Sequence, residues 1–84
     1  MPEEVFSRLA RIVEAQLGVR AEEIKPETEF VEDLCADSLD LVELVIAAEE
    51  EFDLMFDDGD VVKLRTVQDA VSCIEGLLKE EADG

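Results

Sequence analysis

A chain of 84 residues has room for one small domain, and its 48% apolar content is enough for a single hydrophobic core. Aromatic residues make up only 5% of the chain, and four glycines and two prolines interrupt it, which favours helices over strands. The net charge of −17 excludes nucleic acid as a partner, because its phosphate backbone would be repelled.

The first helix is predicted from about residue 3 to residue 17. Pro2 is well tolerated in the first turn of a helix, and Gly18, directly after the last apolar position, is typical of a helix C-terminus. Between them, apolar residues recur at helical spacing along one side, which we expect to face the core. They are Phe6, Leu9, Ala10, Val13 and Leu17.

The segment from residue 19 to residue 36 is predicted to be a long connection with a short turn at 21–24. Pro26 disfavours a helical conformation at Lys25. The connection nevertheless contains several apolar residues, so we expect it to pack against the core. Phe30 is the best candidate for a side chain that plugs the space between the helices.

The second helix, from about 38 to 52, is predicted to follow Asp37, because aspartate is a preferred N-cap residue. At about 100° per residue, its apolar side chains fall into two separate sectors. We assign the wider sector to the core. It contains Leu41, Leu44, Val45, Ala48 and Phe52.

The narrower apolar stripe of this helix consists of Leu39, Val42 and Ile46, with carboxylates on either side. A surface helix needs only one apolar stripe to face the core. An apolar patch with a charged rim is typical of a transient protein interface, and the neighbouring acids would be difficult to bury. The alternative is that both stripes are buried in a tight bundle.

The aspartate-rich segment from Asp53 to Asp60 is predicted to be a connection that leads into a short third helix at about 58–63, with Asp57 or Asp58 as its N-cap. Its spacing does not fit a calcium-binding EF-hand loop in either register that we tested, so no metal ligands are predicted. The connection also contains apolar residues that we expect to pack against the helices. They are Leu54, Met55 and Phe56.

The fourth helix is predicted from about 67 to 80. Thr66 and Asp69 resemble a capping box, with aspartate in place of the usual glutamate. Because no repeat or linker divides the sequence, we expect a single domain over residues 1–84. The apolar stripe of the fourth helix consists of Val67, Ala70, Val71, Ile74 and Leu78.

Acidic residues are concentrated in the middle of the chain. Residues 32–60 contain twelve acidic residues and no basic residue. Such a block of like charge opposes folding through self-repulsion. We therefore interpret it as a docking face for basic partner proteins, although a contribution to solubility alone would produce the same composition.

The chain is poorly equipped for catalysis. It has no histidine, which is the commonest general base, and Leu41 stands where a Ser-x-x-Lys pattern would need lysine. Catalysis at Ser38 by this chain alone is therefore not expected, but its hydroxyl can be modified by another enzyme. A helix N-terminus favours a phosphate group at such a position. The alternative is that Ser38 serves only as a capping residue.

Cys35 and Cys73 lack the spacing of a metal site or a redox motif. We interpret both as free, small apolar residues in a reducing compartment. We find no signal peptide and no run of about 18 apolar residues. A cytoplasmic location without membrane insertion is expected.

The sequence resembles the acyl carrier proteins, and the motifs that carry the resemblance follow one another in the order of that family. They are Phe-Val-Glu-Asp-Leu-Cys-Ala at 30–36, Asp-Ser-Leu-Asp at 37–40, Val-Glu-Leu-Val at 42–45, Glu-Glu-Glu-Phe-Asp at 49–53 and Thr-Val at 66–67.

The resemblance implies an all-α four-helix bundle in which Ser38 carries a covalent 4′-phosphopantetheine arm. A separate pantetheinyl transferase would attach the arm from coenzyme A with magnesium, and the terminal thiol of the arm would hold acyl groups as thioesters. Such a chain would be a monomer and not an enzyme. It would shuttle acyl intermediates between the enzymes of fatty acid biosynthesis.

The resemblance also implies two further sets of site residues on this chain. Basic patches of partner enzymes would dock on Asp37, Leu39, Asp40, Val42, Glu43, Ile46, Glu49 and Glu50. The acyl chain would lie in a pocket lined by Phe30, Leu44, Ala48, Val61, Leu64 and Val71.

Some positions depart from the usual pattern of the family. Cys35 stands where a glycine is usual. If the backbone has a positive φ at this position, the cysteine would be strained. Ala48 stands where a larger aliphatic residue is common, and its small side chain would widen the pocket. Leu41 replaces a residue that is usually polar. The segment 54–59 differs from the proline- and glutamate-containing stretch that is usual before the third helix. Two alternatives therefore stay open, namely a carrier of a polyketide or other specialised pathway and an unmodified acidic interaction protein.

Overall fold

The computed structural model describes the backbone of residues 2–83 and the side-chain surroundings of residues 5–79. The predicted all-α helical bundle is confirmed, and the expected turn near residue 21 is a 3-10 helix at Ala21–Glu23. Within the described residues, the β pairing is limited to one isolated bridge between Glu29 and Thr66. The four α-helices are α1 Pro2–Leu17, α2 Ser38–Phe52, α3 Asp58–Val61 and α4 Val67–Asp83.

The core forms where the predicted apolar stripes of α1, α2 and α4 meet. Val13, Val67 and Ile74 are its most deeply buried side chains. Burial of an aliphatic side chain of this size stabilises the folded state by roughly 1.5–3 kcal/mol. Among the residues whose burial is described, no polar or charged side chain is buried, so the core is held together by apolar contacts.

The ends of two helices differ from the prediction. α3 ends at Val61 rather than near residue 63, because the next hydrogen bonds tighten to three-residue turns, with Lys63 donating to Asp60 and Leu64 donating to Val61. α4 continues to Asp83 rather than ending near residue 80. Its last residues are good helix formers without proline or glycine, so propensity carries the helix past the apolar stripe.

The connection between α2 and α3 packs against the core only in part. Leu54 is buried and Phe56 is half-buried against the core, as predicted. Met55 is 79% exposed, so the prediction is wrong for this residue. Because the side chains on either side of it both face the core, the intervening side chain points outward.

Three helices begin with reciprocal capping pairs spaced three residues apart. At the start of α2, Asp37 Oδ1 accepts the N–H of Asp40 at 2.9 Å, and Asp40 Oδ2 accepts the N–H of Asp37 at 3.1 Å. Each pair provides acceptors for two backbone N–H groups that a helix start would leave without partners. The pairs are Asp37–Asp40, Asp57–Asp60 and Thr66–Asp69.

The connection between α1 and α2 is fastened to the start of α4. The N–H of Val67 donates to the carbonyl of Thr28 at 2.9 Å. The N–H of Gln68 donates to the carbonyl of Pro26 at 2.8 Å. Phe30, two residues after Thr28, is 3% exposed, which confirms that it packs between the helices.

Cys35 adopts the left-handed backbone conformation, with a φ of 57°. For a residue with a Cβ atom, this conformation costs roughly 1–2 kcal/mol. The strain expected at this position is therefore confirmed. The turn redirects the chain from the packed connection into α2.

We expect Cys35→Gly to raise the free energy of unfolding by roughly 0.5–1 kcal/mol, because glycine removes the Cβ strain but adds chain entropy to the unfolded state. Urea unfolding followed by circular dichroism measures the change. Cys35→Ala keeps the Cβ atom and should leave stability nearly unchanged. An equal gain in both variants would show that the sulfur atom, and not backbone strain, is responsible.

Candidate functional site

Ser38 is the first residue of α2, and the chain before it is held in place. Ala36 is 4% exposed, and its N–H donates to the carbonyl of Phe30 at 2.9 Å. The left-handed turn at Cys35 lies directly before it, and Asp37 caps the helix directly after it. The start of α2 is therefore fixed against the packed connection rather than free to unwind.

The Ser38 side chain is exposed, and within the described part of the chain its hydroxyl takes part in no hydrogen bond. Asp37, and not Ser38, caps the helix, so the alternative of a purely capping serine is wrong. The N–H groups of Ser38 and Leu39 also have no protein acceptor in the described structure. A free hydroxyl beside free helix-terminal amides fits a residue that carries a phosphodiester, since both the amides and the helix dipole favour an anion.

The narrow apolar stripe of α2 is exposed. Leu39 is 65% exposed, Val42 48% and Ile46 50%. The alternative that both stripes of this helix are buried is therefore wrong. Three large apolar side chains exposed on one helix face form a patch that another molecule can cover.

Carboxylates beside this patch lack basic partners. Among the described side chains, only one acid of the segment 32–60 forms an ion pair. It is Glu51, which lies 2.8 Å from Arg8. Glu43 and Glu50 are exposed, and together with Ile46 they line a shallow groove between α1 and α2. The negative charge of this surface is therefore not compensated by ion pairs among the described side chains.

Three of the acids predicted for docking also make bonds inside the protein, and the first of them is Asp37, which caps α2. Asp40 is half-buried and belongs to the capping pair of α2. Glu49 is half-buried, and its Oε2 accepts the N–H of Phe56 at 2.9 Å. Helical periodicity places Glu49 beside the apolar stripe but gives no sign of this contact, because the connection after α2 comes back to the helix only in three dimensions.

A cavity of about 20 Å³ lies between α2 and the rest of the core. It brings together four of the six residues predicted for an acyl pocket, namely Phe30, Leu44, Ala48 and Leu64. The other two, Val61 and Val71, are described residues but do not line it. The sequence prediction also missed six lining residues. Five of them belong to the predicted apolar stripes, which indicate core positions but not a cavity, and the sixth, Phe56, belongs to the connection after α2. The six residues are Leu9, Leu41, Val45, Phe56, Ala70 and Ile74.

The two cysteines are free and lie in different surroundings. Cys35 is exposed, three residues before Ser38. Burial, together with the nearby Asp60 carboxylate, raises the pKa of the Cys73 thiol to about 11. Because only a thiolate is strongly nucleophilic, Cys73 is unreactive at neutral pH.

The described part of the chain contains neither a cluster of metal-binding side chains nor a helix that could span a membrane. No three side chains of the metal-binding types converge there. None of the helices there has the length and apolar character needed to cross a bilayer.

Comparison with known families identifies the kind of group that the chain carries. Residues 7–74 match the family described as phosphopantetheine attachment site. The match spans α2 and most of the core. Together with the helical fold and the exposed serine at a fixed helix start, it defines a phosphopantetheine-carrying protein.

Curated and solved relatives narrow this class. The chain is 55% identical to an acyl carrier protein of Nitratidesulfovibrio vulgaris strain DSM 19637 / Miyazaki F over 71 residues, which cover 84% of this chain and 93% of the relative. It is 53% identical to an acyl carrier protein of strain DP4 over 70 residues, which cover 83% and 92%. A solved acyl carrier protein from Enterococcus faecalis aligns with a TM-score of 0.77 at 31% identity, over 92% of this chain and 98% of the other.

The chain belongs to the acyl carrier protein family. It carries acyl intermediates on a covalent phosphopantetheine group. The thiol at the end of that group supplies the chemistry, because it forms thioesters with acyl groups.

Proposed function

We propose that Ser38 is the attachment residue, and that the chain, acting as a single carrier domain over residues 1–84, serves fatty acid biosynthesis in the cytoplasm without being an enzyme itself. The observation that carries this proposal is the Ser38 hydroxyl, which is exposed at the first position of α2 and makes no hydrogen bond within the described structure. A pantetheinyl transferase would form a bond between Ser38 Oγ and phosphorus of coenzyme A and release the nucleotide half. The hydroxyl proton would leave to a base of that enzyme, since this chain has no histidine.

The residues around Ser38 would hold the anchored arm in a fixed place. The free amides of Ser38 and Leu39 favour the negative charge of the phosphodiester. The capping pair Asp37–Asp40 keeps the first turn of α2 formed while partners handle the arm. One end of the flexible arm is thus anchored on a rigid helix, which keeps the cargo at high effective concentration near a docked enzyme.

The proposed docking face is the exposed stripe of α2 with its acids. Its apolar centre would be covered by the partner, and its unpaired carboxylates would attract basic patches on acyl-processing enzymes. Glu43 and Glu50 support this role best, because they are exposed beside Ile46 and have no ion pair in the described structure. The full set is Asp37, Leu39, Asp40, Val42, Glu43, Ile46, Glu49 and Glu50.

We further propose that the small apolar cavity is where the acyl chain shelters. Its lining is drawn from α1, α2, α4 and the three connections, and it lies behind the helix that begins with Ser38. A cavity of about 20 Å³ has room for roughly one water molecule, so an acyl chain enters only if the walls move apart. Leu41 in the lining is one of the departures from the family pattern and keeps a polyketide or other specialised pathway as a second candidate.

We expect incubation with coenzyme A, magnesium and a broad-specificity pantetheinyl transferase to add one phosphopantetheine group to the apo protein, because the Ser38 hydroxyl is accessible. Intact mass spectrometry measures the adduct. Ser38→Ala should gain nothing, whereas Ser72→Ala, which removes an exposed serine from α4, should be modified like the wild type. No adduct on the wild type would favour the unmodified interaction protein instead.

Reversing two charges on the docking face should slow association with the transferase. Glu43→Lys with Glu50→Lys should lower the association rate constant about tenfold at low salt, because steering by the acidic surface is lost. Stopped-flow kinetics at increasing ionic strength should show the difference shrinking as charges are screened. The control, Glu23→Lys with Glu27→Lys, changes the net charge equally outside the proposed face. If both double variants slow binding alike, net charge rather than this face steers the encounter.

Filling the cavity should reduce the length of acyl chain that fits inside it. Ala48 is 2% exposed and lines the cavity, so Ala48→Leu should overfill it at a cost of about 1–3 kcal/mol. Thermal unfolding of the protein loaded with chains of increasing length measures the effect. Stabilisation by the chain should level off at a shorter length in the variant than in the wild type.

Ala47→Leu is the matched control for this experiment, because Ala47 is half-buried in the outer groove between α1 and α2 and does not line the cavity. It should keep the chain-length profile of the wild type. The same profile in Ala48→Leu would contradict an acyl pocket at this position.

A further inference from the structure

Three backbone N–H groups of the connection after α2 converge on one residue, Glu49. Its carbonyl oxygen accepts the N–H of Asp53 and, at 3.1 Å, that of Leu54. Its Oε2 accepts the N–H of Phe56 at 2.9 Å in half-buried surroundings. The bond to the carboxylate is charge-assisted and therefore stronger than a bond between neutral groups.

Phe56, the residue held by this carboxylate, is also a wall of the apolar cavity. Most of the other lining side chains are buried on helices, and moving them would break helical packing. Phe56 is half-buried and lies in the non-helical connection between α2 and α3. Leu64, in the connection between α3 and α4, is also half-buried and non-helical, so these two walls are the ones that the least rearrangement displaces. Of the two, Phe56 is the one whose N–H is held by a side chain in the described structure.

The small volume of the cavity and the position of Phe56 are directly related. At about 20 Å³, the cavity is too small for a chain of several carbons, so it must widen before such a chain enters. A contact that holds Phe56 in its present position stabilises the narrow state of the cavity. The apparent affinity for a ligand that needs the wide state is then reduced, because it is multiplied by the fraction of molecules in that state.

We propose that Glu49 is a positioning residue that bars the cavity by holding Phe56 in the wall, so that breaking this hydrogen bond admits longer acyl chains. The proposal rests on the proposed function, because it takes the cavity to be the acyl shelter. It gives Glu49 a role inside the carrier in addition to its place beside the docking face. A docked partner that draws the Glu49 carboxylate away from Phe56 would change the shelter at the same time.

The hydrogen bond is tested on the apo protein, in which Ser38 carries no group. Glu49→Ala should speed amide hydrogen exchange at Phe56 about tenfold or more, while exchange at Ile74 in the core stays unchanged. Glu49→Gln keeps a carbonyl oxygen at the same reach and should change the rate much less. The control Glu50→Ala removes the same charge from the next residue of α2 and should leave the Phe56 rate unchanged.

The consequence for the cargo is tested with purified protein loaded with an octanoyl or an acetyl group, without partner enzymes. Cleavage of the thioester by hydroxylamine reports how much of the chain is exposed. We expect octanoyl cleavage in Glu49→Ala to be at least about threefold slower than in the wild type, because the wide state is more populated. Acetyl cleavage should be equal in all variants, since a two-carbon group is too short to fill the cavity.

The outcomes separate this proposal from the one on which it rests. If Phe56 exchange in Glu49→Ala matches that in Glu50→Ala, the holding contact is disproved, whatever happens at Ser38. If exchange rises but octanoyl cleavage is unchanged or faster, Phe56 does not bar entry and the proposal is overturned. Absence of any adduct at Ser38 would instead disprove the attachment site and leave the exchange result standing.

Discussion

The hydrogen bonds between the long connection and the start of α4 are the constraint on which the site depends. They give the first N–H groups of α4 the acceptors that a helix start lacks, using the carbonyls of Pro26 and Thr28. They also press Phe30 into the core, and the carbonyl of Phe30 then anchors Ala36, directly before the cap of α2. Ser38 is thus presented by a chain of backbone contacts that begins at the opposite helix.

This arrangement explains why a strained residue is tolerated at the site. The chain must reverse between the buried Ala36 and the turn that follows Phe30, and Cys35 makes this reversal at a positive φ. The strain of roughly 1–2 kcal/mol is smaller than the combined contribution of the anchored backbone and the apolar residues around it. A local cost therefore persists because the surrounding contacts determine the path of the chain.

Periodicity and capping chemistry were enough to predict most of this structure. The stripe of α2 that faces solvent followed from the angular positions of Leu39, Val42 and Ile46, and the capping box of α4 followed from the spacing of Thr66 and Asp69. What could not be predicted depends on contacts between segments that are separate in the sequence. The bond from Phe56 to Glu49 is of this kind, and so are the limits of the cavity, which exclude Val61 and Val71.

The acidic residues of the segment 32–60 therefore fall into separate groups according to the contacts that they make. Asp37, Asp57 and their capping partners bind backbone N–H groups, and their charge is partly offset by the helix dipole. Glu43 and Glu50 make no such bond within the described structure, so their charge acts outward. Glu49 stands between these groups, since its carboxylate lies beside the exposed stripe but is held by Phe56. On the roles proposed above, a basic partner that competes for this carboxylate would act on the docking face and the cavity wall through a single side chain, which would couple recognition of the carrier to access to its cargo.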